Sequence, residues 1–199
     1  LLFIGLFITS CKDENAPKIH SKKGTTLNEV IKNELASGIR NDTIFLGFRF
    51  GMTEREFKSK WKELLKEGKL YFDKSGGNML TYDLTVSKNN TFKCTFSPEY
   101  YDGKLSQLGV SVLPKDKYST VKLTTLQVYM FFMRKYSIPT VEQGMKLVED
   151  CKEYTWINGT RQIKLMCGYT DTRIFYEDLS IKEAKEQKED SKTRQKLNS

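Results

Sequence analysis

Hydrophobic positions along this chain change period several times, and each change marks an element. Leu27, Val30, Ile31 and Leu35 recur at helical spacing, and Thr26 and Glu29 sit three apart in the pattern of a capping box. This predicts a short amphipathic helix ending at Gly38. Alternation then takes over. Leu46, Phe48 and Phe50 are separated by Gly47 and Arg49, the period of two of a half-buried strand. Gly51 and Met52 turn the chain into Thr53-Glu54-Arg55-Glu56, a second capping box. Behind it Phe57, Trp61, Leu64 and Leu65 form one stripe, while Lys58, Lys60, Lys62 and Lys66 face water. Gly68 stops this helix, and Trp61 is expected to anchor it in the core.

Four strand-like segments follow. Residues 69–73 lead to a turn at Ser75-Gly76-Gly77-Asn78. Over 79–86, Leu80, Tyr82, Leu84 and Val86 share one side; after a turn at Lys88-Asn89-Asn90, so do Phe92, Cys94 and Phe96. Asp102-Gly103 opens the last segment, where Leu108, Val110 and Val112 alternate until Pro114. Such short loops imply an antiparallel meander. A helix is predicted over 119–136, with Leu123, Leu126, Met130, Phe131 and Met133 on its buried side and Ile138-Pro139 breaking it. Residues 140–150 read as a further helical turn or two. Segments 153–157 and 160–167 flank Asn158-Gly159, a strong hairpin signal, and 173–178 makes a third strand. The fold class is therefore α+β, antiparallel sheet meanders with packed helices, organised as two helix-then-strands units. Residues 25–43 read as a short helix and linker, 44–179 as the α+β domain, and 180–199 as a charged helical or disordered tail.

The N-terminus adds a location. Residues 1–10 are apolar or small and run straight into Cys11, which Lys12-Asp13-Glu14-Asn15 follows. The run is too short to span a bilayer, which needs ~20 apolar residues, and fits the tail of a signal peptide. Ile8-Thr9-Ser10-Cys11 resembles the lipobox of bacterial lipoproteins. Lys12-Asp13-Glu14 is similar to the export signal of surface lipoproteins in some Gram-negative bacteria. The resemblance implies that Cys11 carries a lipid anchor, that 11–24 is a polar tether, and that the protein sits on the outer membrane, at the cell surface if the export signal acts. Stable anchoring needs more than one acyl chain, which the triacyl cysteine of that family satisfies. A shorter likeness lies at Gly51-Met52-Thr53-x-x-Glu56-Phe57. It is similar to the helix start of small outer-membrane assembly lipoproteins (the SmpA/OmlA type) and of β-lactamase-inhibitor-like domains, which lay helices on an antiparallel sheet and bind other proteins. Their Gly-x-Pro after the helix is replaced here by Glu67-Gly68-Lys69, and no functional residue is carried over.

Composition mostly excludes. Hydrophobic residues make up 38% and aromatics 12%, enough for a core, and twelve Phe and ten Tyr favour β structure. The net charge of +8 is interleaved with acids rather than gathered into the stripe a nucleic-acid binder uses, so no nucleic-acid partner is expected. The single histidine, His20, lies in the tether, which leaves a serine or cysteine nucleophile without a base. Phosphate-loop, nucleophile-elbow and zinc-helix patterns are absent, and neither a metal nor a cofactor is expected. Asp73, Asp83, Glu99 and Asp102 lie near strand ends; they read as turn residues, though paired acids could serve a hydrolase.

With Cys11 acylated, Cys94, Cys151 and Cys167 remain, so at most one pair forms within the chain. If one forms, it links Cys151 and Cys167. Pairing outward from Asn158-Gly159 sets Ile157 opposite Thr160 and Cys151 opposite Met166, close in register but nominally on opposite faces. A bulge or the end of the ladder reconciles them. Tyr100 and Tyr101, expected in a turn beside Asp102-Gly103, are candidate ligand contacts. Asp42-Thr43-Ile44 resembles the O-glycosylation sequon of the same bacterial groups, which implies a glycan on Thr43. The expected function is a non-enzymatic lipoprotein module that binds an envelope protein or glycan. A carboxylate-dependent hydrolase and a scaffold subunit of an envelope complex are the competing readings.

Overall fold

Both capping boxes close. The Thr53 N–H and hydroxyl donate to Glu56 Oε2 at 2.7 and 2.8 Å, and Thr53 Oγ1 accepts the Glu56 N–H at 3.2 Å. The same exchange between Thr26 and Glu29 starts the helix α1, Leu27–Ala36; Thr53 starts α2, Glu54–Lys66. Each box satisfies backbone donors that the first helical turn leaves open. The computed structural model describes residues 26–74, 77–114, 120–144, 151–185 and 188. Cys11, the segments 1–10 and 11–24, Ser75-Gly76 of the expected turn, residues 145–150, and 186, 187 and 189–199 of the expected 180–199 tail lie outside the described residues. Within that last range, 180–185 continue a helical stretch that begins at Leu179.

Four strands follow α2: β1 (Leu70–Asp73), β2 (Met79–Ser87), β3 (Asn90–Tyr101) and β4 (Lys104–Val112). After α3 (Val121–Tyr136) come β5 (Val141–Gly144), β6 (Lys152–Asn158), β7 (Arg161–Cys167) and β8 (Thr172–Asp178). All eight join one antiparallel sheet in the order β1-β2-β3-β4-β8-β7-β6-β5. Each half is thus a helix followed by a four-stranded meander, and the halves meet where the last strand of each, β4 and β8, pair edge to edge. Both outer edges, β1 and β5, are only four residues long, which blunts them against pairing with other chains. Residues 141–144 are therefore strand where the sequence suggested helix. β6 supplies a neighbour that a local pattern cannot show.

The alternating positions fall on one face, as their period demands. Tyr82, Cys94, Val112 and Thr172 lie side by side across β2, β3, β4 and β8, as do Phe96, Val110, Ile174 and Leu165 across β3, β4, β8 and β7. This face holds the core and is covered by α2, by residues 44–50 and by α3. The other face of β1–β4 carries Tyr71, Asp83, Lys93, Thr85 and Thr91, with Asp73 ion-paired to Lys93 at 2.6 Å.

Three local expectations give way to packing. Residues 44–50 form a tight hairpin rather than a strand of the sheet. Ile44 N donates to Phe48 O at 3.0 Å and Phe50 N to Asp42 O at 2.8 Å, with Leu46 at φ 54° and Gly47 at φ 79° across the tip. Ile44, Phe48 and Phe50 are buried there, and Phe48 stacks on Phe57 of α2 at 4.6 Å. Trp61 is only half-buried: Phe57 and Leu64 anchor α2, while Trp61 leans on the exposed Phe72 at 6.5 Å.

The β6–β7 hairpin turns one residue later than expected. Asn158 pairs with Arg161, so Gly159-Thr160 is the turn, with the positive φ on Gly159 alone. The reason is tertiary. Residues 34–43 strap this turn: Gly159 N donates to Glu34 Oε2 at 2.7 Å, Thr160 N to Ile39 O at 3.1 Å, and Asn41 N to Thr160 Oγ1 at 3.1 Å. A Cβ at Gly159 would stand 2.2 Å from Ile39 O, so only glycine admits the strap.

Candidate functional site

α3 packs across β2, β7 and β8 with the opposite phase to the one its leucines suggest. Thr124, Thr125, Val128 and Phe132 are buried, and Phe131 and Met133 are half-buried. Leu123, Leu126 and Met130 are 46%, 48% and 51% exposed. Thr125 serves on the inner side because a partner waits there: its Oγ1 shares a hydrogen bond with Thr172 Oγ1 at 2.8 Å and donates to Val121 O at 2.9 Å. Beside this pair lies the Cys151–Cys167 disulfide, whose Cα atoms are 6.2 Å apart; the Cys167 sulfur is 3.4 Å from the Thr125 hydroxyl. Cys151 precedes the first paired residue of β6, so the end of the ladder lets the two sulfurs meet. Aromatic contacts fix the rest of the helix. Phe132 meets Trp156 edge-on at 5.6 Å, and Tyr129 stacks on Tyr154 at 4.0 Å.

The outer side is an apolar stripe without a cover among the described residues. Spacings of three and four residues put Leu123, Leu126 and Met130 along one line of the helix. α3 contains no acid, and Arg134 and Lys135 occupy its last turn, where cations complement the helix dipole. Beyond it Ser137 is held at φ 67°, ψ −157°, a region nearly confined to glycine. The Trp156 indole N–H, donating to Ser137 O at 3.1 Å, secures that turn and leaves Ile138 66% exposed.

Beneath α3 is a partly enclosed cavity of about 150 Å³. Its floor is sheet, including Cys94 and Tyr176; its rim includes Phe45 and Leu46 from the hairpin and Phe131 and Lys135 from α3. Burial pushes the Cys94 thiol up to about 12 and the Tyr176 phenol well above its usual range, so both stay neutral. No carboxylate lines this cavity.

The residues singled out from sequence lie elsewhere and do not converge. Tyr100 and Tyr101 end β3 rather than sit in the turn, and both are half-buried. Tyr100 meets Phe57 edge-on at 6.3 Å, and the Lys188 ammonium lies 5.6 Å from the Tyr101 ring. Thr43 is exposed, bridged to Arg49, and its carbonyl accepts from Arg161 at 2.9 Å. Among the acids, Asp83 accepts the Tyr71 hydroxyl at 2.7 Å, Glu99 accepts from Gln107 at 2.9 Å, and Asp102 lies 3.8 Å from Lys188. The buried acids have structural partners: Glu34 on Gly159, Asp171 on Arg173, and Asp178 on the Ser180 N–H and hydroxyl. Among the described residues no three His, Cys, Asp or Glu side chains gather to hold a metal. No helix among them is long and apolar enough to cross a membrane.

No protein-family model matches the chain, and neither a curated protein nor a solved structure is significantly similar to it. The stripe and the cavity are the features that sequence reasoning missed. The available signal is that α3 is apolar around most of its circumference, more than one buried side requires.

Proposed function

We propose that this chain is a non-enzymatic, lipid-anchored protein of the bacterial outer membrane, which binds another envelope protein through the outer side of α3. The exposed line Leu123, Leu126, Met130 carries the reading. Aliphatic side chains offer a glycan's hydroxyl groups no hydrogen bond, whereas they suit the apolar centre of a protein interface. Burying the exposed half of three such side chains contributes about 1 kcal/mol each, together roughly two decades of affinity. A carboxylate hydrolase draws less support, since the acids are engaged at turns and surfaces and none lines the cavity.

The anchor rests on Ile8-Thr9-Ser10-Cys11. In the full precursor, Cys11→Ala should leave the protein unacylated and outside the membrane fraction; unchanged retention and mass would defeat that part. For the binding side, Leu126→Asp with Met130→Asp should keep the melting temperature and lose the partner from reciprocal pull-downs of envelope extracts. Retention of the partner by this variant, or selective retention on glycan columns that the variant abolishes, would overturn the protein-binding reading.

A further inference from the structure

We infer that the cavity beneath α3 is a binding site for a small apolar monocarboxylate, a short acyl chain or single ring bearing one anionic group. The fit starts with volume. A cavity of about 150 Å³ walled mostly by apolar side chains has the size that takes a benzene-sized guest. Its walls supply the chemistry for such a guest: Phe45, Leu46 and Phe131 at the rim, Cys94 and the Tyr176 ring below. Burial keeps both the thiol and the phenol neutral, so nothing inside the cavity calls for a charged ligand.

Charge enters only at the mouth. Lys135 lines the opening, is exposed, and has no carboxylate partner among the described residues; its ammonium lies 5.2 Å from the Tyr136 ring. An apolar body inside and an anionic group at Lys135 therefore match the site at both ends. A cationic amphiphile would face like charge there.

The rim is built rather than incidental. The hairpin holds Leu46 at φ 54°, a conformation a bulky side chain rarely adopts, and so delivers two consecutive apolar side chains, Phe45 and Leu46, to the opening. Phe45 is fixed by stacking on Tyr176 at 5.5 Å and meeting Tyr82 at 6.1 Å. The hairpin tip in turn lies against α2, where a Cβ added at Gly47 would stand 2.7 Å from Lys60 Cε. A pre-formed rim loses little ordering entropy when a guest arrives.

Hexanoate, 1-hexanol and hexylamine test this on the intact mature protein. Hexanoate should bind with a dissociation constant on the order of a millimolar, which burying about five carbons supports. It should saturably shift the methyl NMR resonances of Leu46 and Ile174, which line the cavity. Hexylamine should bind more weakly than 1-hexanol. Lys135→Gln should weaken hexanoate by about threefold to fivefold, the range of an exposed charge pair, and leave 1-hexanol unchanged. Cys94→Met, which fills the space with an adaptable side chain, should abolish those hexanoate-induced shifts. No saturable shift at tens of millimolar hexanoate would overturn the site. Equal affinity for hexanoate and hexylamine would overturn its charge preference. Should Cys94→Met fail to fold, the wild-type titration and the Lys135→Gln measurements decide alone. All are independent of the outer stripe.

Discussion

Alanine substitutions on the two sides of α3 separate the phase in the structure from the one its leucines advertise. Phe132 is 3% exposed and meets Tyr136 at 5.4 Å and Trp156 at 5.6 Å, both edge-on. Phe132→Ala removes a buried ring and leaves a void, at a cost of about 3–5 kcal/mol. Leu126 is nearly half in water, so Leu126→Ala should change stability by no more than about 0.5 kcal/mol, as alanine is also the better helix former. Urea unfolding followed by tryptophan fluorescence reads both. With a slope of about 2 kcal/mol per molar, the midpoint should fall by about 1.5–2.5 M for Phe132→Ala and move less than about 0.25 M for Leu126→Ala. A reversed order, with Leu126→Ala costing more than about 2 kcal/mol and Phe132→Ala less than about 1 kcal/mol, would refute the phase and with it the exposed stripe.

Other parts of the fold make separate predictions. Replacing Cys151 and Cys167 together by Ala opens a link across 16 positions, and chain entropy puts the loss near 3 kcal/mol; a loss below about 1 kcal/mol in the same urea assay would contradict that. Gly159→Ala sets a Cβ at 2.2 Å from Ile39 O at a positive φ, so it should destabilise by more than the roughly 1 kcal/mol of the φ penalty alone, and unchanged thermal stability would unseat the strap. The Thr53 N–H foremost, and then its hydroxyl, hold the Glu56 carboxyl below its usual range. Its capping contribution is therefore complete above the unfolded value of about 4.3 and lost as pH falls through the lower folded value. Glu56→Gln should flatten the acid limb of stability against pH, and an unaltered limb would show that the box does not titrate.

Elements whose pattern is self-consistent are legible in the sequence alone. Thr53 and Glu56 close their box, and Leu80 to Val86 and Leu108 to Val112 keep one face, because those choices depend on neighbours three or two residues away. What the sequence hides depends on distant partners. Thr125 reads as the wet side of α3 unless Thr172 provides a hydroxyl and the sheet leaves room for Val128 and Phe132. Asn158-Gly159 reads as the turn unless Ile39 and Glu34 claim Thr160 and Gly159. Spacing brings Cys151 and Cys167 close in register but on nominally opposite faces, and it is the end of the ladder at Cys151 that lets them pair; the cavity needs the hairpin, α3 and the sheet together, three elements with no adjacent sequence.

Binding through the outer side of α3 is tested most directly by a photo-crosslinking amino acid placed at position 126, with position 85 on the opposite, polar face of the sheet as the control. Docking through this side gives one discrete adduct in intact cells from position 126, lost when Leu123 and Met130 are both replaced by Asp, and none from position 85. No adduct at 126 beyond that at 85, or an adduct unaffected by the two aspartates, would contradict it.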